Sequence, residues 1–366
     1  MSKLTRAMSL AVFVTAGAVA SMFPQKAAAV DLSGKTVEWI IPFGEGGGSD
    51  KWARFYAPLL SDALPGSPNV VVKNMPGAGS TKGANWFASR AKPNGLTIFG
   101  SGGSTQFPFL LGDERVKYDY ADWNIVLASA SGGVVYLPKA MGDKWNKDPK
   151  SVIESQTFIV GSQGATRLDL VALLAWDMLG MKVKPVFGIK GRSAGRLMFE
   201  RGDANIDWQT SSGFLSKVKP LVDEGLAVPI MTFGAIDDKG DLVRDPTFPN
   251  LPTFKEVYEK VYGKAPSGDA WEAWKAFFVA GFSAQKMVFL PKGSSPELIA
   301  AYDKAFGSII KGNDFAKSSG KILGVYPQSI GDTAKTKVKL GTEVSDSAKK
   351  WIKGWLARNY EVKLTK

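Results

Sequence analysis

The clearest pattern along the chain is a short apolar run that stops at clustered glycines and gives way to apolar residues at helical spacing. Thr36 to Phe43 reads TVEWIIPF and runs straight into Gly44-Glu45-Gly46-Gly47-Gly48-Ser49-Asp50. This predicts a strand ending in a loop of exposed backbone. Trp52, Phe55, Tyr56, Leu59, Leu60 and Ala63 then recur with the period of a helix, with Ser49 or Asp50 placed to cap it and Pro58 interrupting it. The pattern repeats. Asn69 to Asn74 predicts a strand, Met75 to Gly79 a loop, and Ser80 the cap of a helix through Ala84, Phe87, Ala88 and Ala91, ended by Pro93, Asn94 and Gly95. Leu96 to Phe99 predicts a third strand, followed by a polar glycine loop from Gly100 to Thr105. Thr157 to Val160 is a further strand, Gly161 to Thr166 its loop, and Leu168, Val171, Leu174, Met178 and Leu179 the stripe of a helix stopped by Gly180. Strands alternating with helices predict an α/β architecture with parallel sheets.

Glycine at these loops lets the main chain approach a ligand closely, and each following helix N-terminus offers unpaired N–H groups with partial positive charge. Such a terminus is an anion site without any cationic side chain. Several loops of one kind, interleaved with Ser and Thr donors, predict a ligand carrying carboxylate or phosphate.

Composition removes most competing chemistry. The 366 residues include no cysteine and no histidine, which excludes disulfides, thiolate or imidazole metal sites, cysteine nucleophiles and Ser-His-Asp triads. No cofactor and no metal is expected. Gly191-Arg192-Ser193-Ala194-Gly195 fits the nucleophile-elbow pattern, but the chain holds no histidine to activate Ser193. Gly34-Lys35-Thr36 lacks the first glycine and the preceding strand of a P-loop, and Gly77-Ala78-Gly79 is not completed to a dinucleotide fingerprint. The net charge is +12. Its positive residues are scattered and no RNA-binding motif is present, so nucleic acid is not an expected partner. Trp271, Trp274, Phe277 and Phe278, together with Trp52 and Trp86, read as helix faces packed in a core.

The first 29 residues stand apart. Lys3 and Arg6 precede an uncharged stretch from Ala7 to Gln25, and Lys26 is followed by Ala27-Ala28-Ala29. That order predicts an export signal cleaved near Ala29, leaving a mature chain of net charge +9 in the periplasm, the alternative being an uncleaved membrane anchor.

The run Ile41 to Asp50 with Ala53-Arg54, then Val71 to Gly83 (VVKNMPGAGSTKG), and then Ala91 to Thr97 resembles the receptors of tripartite tricarboxylate transporters, also called Bug proteins. The resemblance continues more weakly through Val160 to Gly164, Gly188 to Gly191, Arg201 to Thr210 and Leu251 to Phe254. It implies a two-lobed periplasmic-binding-protein fold of type II, a Venus flytrap with a hinge, that closes on a small carboxylate and delivers it to membrane permease subunits. Lobe I is expected over 30–130 plus 235–366 and lobe II over 131–234. The hinge is expected where the chain crosses near Ile125 to Tyr136 and Ala227 to Gly234. The implied ligand contacts are Phe43, Gly44, Glu45, Gly46, Gly47, Gly48, Ser49, Asp50, Gly77, Ala78, Gly79 and Ser80 in lobe I. In lobe II they are Ser162, Gln163, Gly164, Ala165 and Thr166, with Arg192 and Gln209. A monomer is the expectation for a receptor that docks on a membrane partner.

Two features depart from the family. Glu45 places a carboxylate where an uncharged residue is usual, and Ala235 to Phe289 is longer and more aromatic, with Asp237 to Asp241 reading as an exposed loop. The competing class is an exported lyase or hydrolase using Glu45 and Asp50 as acid and base.

Overall fold

The computed structural model describes residues 30–237 and 241–364. The expected export signal and cleavage site lie outside the described residues, as do the middle three residues of the Asp237 to Asp241 loop.

The first half of the chain follows the alternating pattern: β1 (Thr36–Ile41), α1 (Gly48–Ala63), β2 (Asn69–Asn74), α2 (Thr81–Arg90), β3 (Thr97–Gly102), α3 (Gly103–Leu111) and β4 (Asn124–Ser129). The chain then passes within three residues into β5 (Gly133–Pro138) and continues through α4 (Lys139–Lys147), α5 (Pro149–Ser155), β6 (Thr157–Ser162), α6 (Asp169–Met178), β7 (Lys182–Phe187), α7 (Arg192–Glu200) and β8 (Asp207–Thr210). Short helices α8 (Ser211–Gly213) and α9 (Lys219–Asp223) flank a π-helical turn and lead to β9 (Ala227–Thr232). The return segment contains the ribbon β10 (Ala235–Ile236) and β11 (Leu242–Val243), α10 (Phe254–Tyr262), α11 (Asp269–Phe282), β12 (Lys286–Leu290), α12 (Pro296–Lys311), α13 (Phe315–Ile322), β13 (Gln328–Ser329), α14 (Gly331–Thr342) and α15 (Asp346–Tyr360).

The main sheet has six strands in the order β13-β4-β12-β3-β1-β2. β1 runs parallel to β2 and β3, but β12 enters antiparallel between β3 and β4, so the sheet is mixed rather than parallel as the pattern predicts. A second region holds the antiparallel sheet β8-β5-β9 and the parallel pair β6-β7. The expected loop from Gly100 to Thr105 does not form: β3 extends to Gly102 and α3 begins at Gly103. The cause is the pairing of Lys286, Met287 and Val288 with Gly102, Ser101 and Gly100, a contact between distant segments that local composition cannot show.

Both faces of the main sheet are covered. Val37, Trp39 and Ile41 pack with Trp52 of α1 and Phe306 of α12, while Ile40, Phe99 and Phe289 pack with Phe87 of α2 and Trp123. The third large core joins β5, β6, α6, β8 and β9 to α11 and α15. There Trp274 is fully buried, stacks on Trp271 at 5.2 Å, and donates its indole N–H to the Val171 carbonyl at 3.0 Å, which makes the aromatic run a packed helix face as expected. Trp355 of α15 ties to Asp177 at 2.8 Å in the same layer. Helices of the return segment therefore bind the two sheet regions together.

Candidate ligand site

The β1–α1 loop is built to present main chain. Phe43 anchors its start in the core, and Asn74 donates to the Phe43 carbonyl at 3.0 Å. α1 starts at Gly48 with Gly47 at the cap position, and no side chain caps it, contrary to the capping expected of Ser49 or Asp50. Asp50, in the third helical position and buried, instead reaches back to accept from the Gly46 N–H at 2.9 Å and from Arg54 Nε at 2.9 Å. The carboxylate closes the loop on itself and leaves the tip of the helix bare. Among the described residues the Ser49 and Thr210 hydroxyls make no hydrogen bond, and both line the cavity at this tip. Only glycine fits at position 48, because a Cβ there would overlap Thr210 Oγ1.

Three helices point their N-termini at this cavity: α1 through Gly47, Gly48 and Ser49, α3 through Ser104, and α7 through Gly191 and Arg192. Gln163, Leu168 and Gln285 complete the wall. The first N–H groups of each helix lack intrahelical acceptors and the macrodipoles add, so the cavity is a seat for negative charge. It measures about 30 Å³, room for a water molecule or two, so the cleft stands shut. Hydrogen bonds across it hold it so: Gly44 N–H to the Lys190 carbonyl at 3.2 Å, Ser193 Oγ to the Glu45 carbonyl at 2.9 Å, and Ser212 Oγ to the Gly48 carbonyl at 3.0 Å. The serine of the elbow-like motif is thus a latch across the cleft.

Of the expected contacts, Phe43, Gly44, Gly47, Gly48, Ser49, Gln163 and Arg192 come together here. Glu45, Gly46 and Asp50 do not line the cavity; Glu45 is exposed. Ala78, Gly79, Gly164, Ala165 and Thr166 border a separate open hollow of about 790 Å³ beside Arg115 and Arg167, and Gln163 borders both spaces. The Gly77 to Ser80 loop is already occupied: Arg167 donates to the Ala78 carbonyl at 3.0 Å and lies where any side chain at position 79 would stand. Ser80 does not cap α2 either. It adopts φ 84°, and its hydroxyl donates to the Ser104 carbonyl at 3.0 Å, fastening this loop to α3.

Asp169 is the residue that loop composition does not reveal. Its carboxylate accepts from Ser162 Oγ at 2.9 Å and from the Gln163 N–H at 2.6 Å, so the chain's own acid fills the anion seat expected at Ser162 and Gln163. It also accepts from Arg192 at 3.0 Å and Trp208 Nε1 at 3.0 Å. Arg192 further binds the Gly161 carbonyl at 2.7 Å, the Trp208 carbonyl at 3.1 Å and the Asp207 carboxylate, and its guanidinium lies 5.0 Å from the Trp208 ring. Burial opposes its charge, yet Asp207 and Asp169 hold its pKa above the ordinary arginine value. Gln209 is buried beside it and donates to the Arg192 carbonyl and to Asp207, both at 2.8 Å. Arg192 and Gln209 therefore fix the wall; only Arg192 reaches the cavity. An acid in the first turn of a predicted helix was the available signal for Asp169.

No protein-family model matches the chain, and no curated protein matches it either. The fold is found among solved structures. Rpa4515 from Rhodopseudomonas palustris, solved with adipate, superposes with a TM-score of 0.65 at 18% identity over 87% of this chain and 98% of its own. MatC from the same organism, solved with bound malate, gives 0.62 at 17% identity over 86% and 99%. The periplasmic binding protein BugD gives 0.62 at 17% identity over 90% and 99%. The chain therefore has the two-lobed α/β fold of periplasmic solute-binding proteins.

Proposed function

We propose that this protein is an extracytoplasmic receptor for a small organic carboxylate, of the kind that serves tripartite tricarboxylate transporters. The observation that carries the reading is the convergence of the N-termini of α1, α3 and α7 on one cavity at the seam between the two sheet regions, with two unengaged hydroxyls beside them. Residues 30–130 with 235–366 form one lobe and 131–234 the other, and the β4–β5 and β9–β10 connections form the hinge. The acid binds the open cleft through main-chain N–H groups and the hydroxyls of Ser49 and Thr210, and closure brings Gln163 and Arg192 over it. The differential affinity of the ligand for the closed state drives that closure. After export and cleavage near Ala29 the receptor works as a monomer and hands its ligand to permease subunits in the membrane. Fold neighbours solved with malate and adipate support a carboxylate ligand. The acid–base reading of Glu45 and Asp50 gains no support from the site, since neither lines the cavity and Asp50 is engaged by Gly46 and Arg54.

The test is native mass spectrometry of the mature chain from rich medium, with denaturing release of bound molecules, followed by calorimetric titration with malate, adipate, citrate and acetate. A released acid at one per chain, or saturable binding of one of the four, is expected. Absence of both would reject the carboxylate reading.

A further inference from the structure

Lys286 is a buried amine that no charged side chain partners among the described residues. It is the first residue of β12, 2% exposed, set between Gly102 of β3 and Ser129 of β4 at the carboxyl ends of both strands. Its amine donates to Oε1 of Gln285, and Gln285 lines the cavity onto which α1, α3 and α7 converge. Among the described residues the Gln285 amide nitrogen has no acceptor. β3, β4 and α3 contain no ionisable residue. α1 offers Asp50, committed to Gly46 and Arg54, and Tyr56, whose hydroxyl donates to Gln328. Across the cavity α7 offers Arg192, committed to Asp169 and Asp207. The amine's one partner, Gln285, borders a cavity ringed by three positive helix ends, a setting that offers an ammonium no counter-charge unless an anion joins it.

We propose that Lys286 is the counter-charge of the bound anion, acting through the Gln285 amide, and that ligand binding draws a proton onto it from solvent. This rests on the receptor reading above. Burial alone lowers the Lys286 pKa to about 7, so near neutral pH the empty site holds a mixture of amine and ammonium that an anion can complete. A purely structural residue at this position would be better served by a methionine, which fills the same space without burying an amine.

The experiment is calorimetry of the mature chain at pH 8 in two buffers of different ionisation heat, with malate, adipate, citrate, acetate, phosphate and sulfate. Wild type, Lys286→Met and Lys286→Arg are compared. In wild type, binding is expected to take up close to one proton and to weaken about tenfold per pH unit above 7. Lys286→Met is expected to bind about tenfold or more weakly with no proton uptake, while melting at a higher temperature when empty. Lys286→Arg, permanently charged, is expected to bind without proton uptake. An acid that binds wild type and Lys286→Met alike with no proton taken up would overturn this role and leave the receptor reading standing. Proton-linked binding of phosphate or sulfate alone would keep the role and reject the carboxylate. If none of the six anions binds wild type, both fall. Should Lys286→Met fail to fold, the Lys286→Arg arm and the wild-type proton count decide.

Discussion

At the scale of single residues, space in the closed cleft differs sharply between neighbouring glycines. A Cβ at position 48 would overlap Thr210 Oγ1, whereas one at position 47 meets nothing closer than the Ser193 nitrogen at 3.7 Å. Both residues have ordinary negative φ, so the contrast is one of space in the closed cleft and not of backbone strain. Gly48→Ala should weaken binding of the released acid about 10- to 100-fold, the effect of overpacking a closed interface, with Gly47→Ala within about threefold of wild type. Equal affinities by calorimetry would move the ligand out of this cavity. Asp169→Asn should lose about 3 to 5 kcal/mol in urea unfolding, because Arg192 would keep its charge while one of two buried partners became neutral. Glu45→Gln, at an exposed position, should stay within about 0.5 kcal/mol.

At the scale of elements, one buried hydrogen-bond chain joins the β4–β5 connection to α8, to the segment before β13 and to the segment after β11. The Gly132 N–H, between β4 and β5, donates to Ser211 Oγ at 3.1 Å; Ser211 meets the Tyr326 hydroxyl at 2.6 Å, and Tyr326 donates to Asp245, just after β11, at 2.6 Å. Burial pushes Asp245 up to about 6, above its ordinary 3.8. A carboxyl whose folded pKa is raised stabilises fully below the unfolded value, and that contribution is lost as pH rises through the folded one. Wild type should therefore lose about 3 kcal/mol relative to Asp245→Asn between pH 3.8 and pH 7. Parallel pH profiles of the two unfolding free energies would show that Asp245 ionises freely. The elements legible in sequence are those made by neighbours in the chain: β1–α1, β2–α2 and β6–α6 all form, because each is a short apolar run, a glycine turn and a helical stripe. What could not be read comes from distance along the chain. Gly100 to Gly102 look like a loop until β12 pairs with them, and the Gly77 to Ser80 loop looks open until Arg167 closes over it. The same holds for the site: glycine loops announce anion seats, but Asp50 and Asp169 show that the chain's own acids take up two of these loops, while the N-termini of α1, α3 and α7 border a cavity that no acid among the described residues lines.

At the scale of the whole molecule, function depends on how firmly the shut cleft is held. Ser193 and Ser212 do not line the cavity and donate across the seam to the carbonyls of Glu45 in the β1–α1 loop and of Gly48 at the start of α1, which ties them to closure. If the cleft closed too firmly, a ligand could not enter; if it closed too weakly, the competent state would be rare and the apparent affinity reduced by its fraction. A net hydrogen bond of this type contributes about 1 kcal/mol, so the double variant Ser193→Ala, Ser212→Ala should shift the open–closed balance by about 2 kcal/mol. Calorimetry should then show binding weaker by up to about 30-fold with the number of sites unchanged, and X-ray scattering should show a larger radius of gyration for the empty protein. Weaker binding without expansion would mean that these serines touch the ligand after all. Expansion without weaker binding would mean that the ligand is held by one lobe, and that closure serves the membrane partner instead of capture.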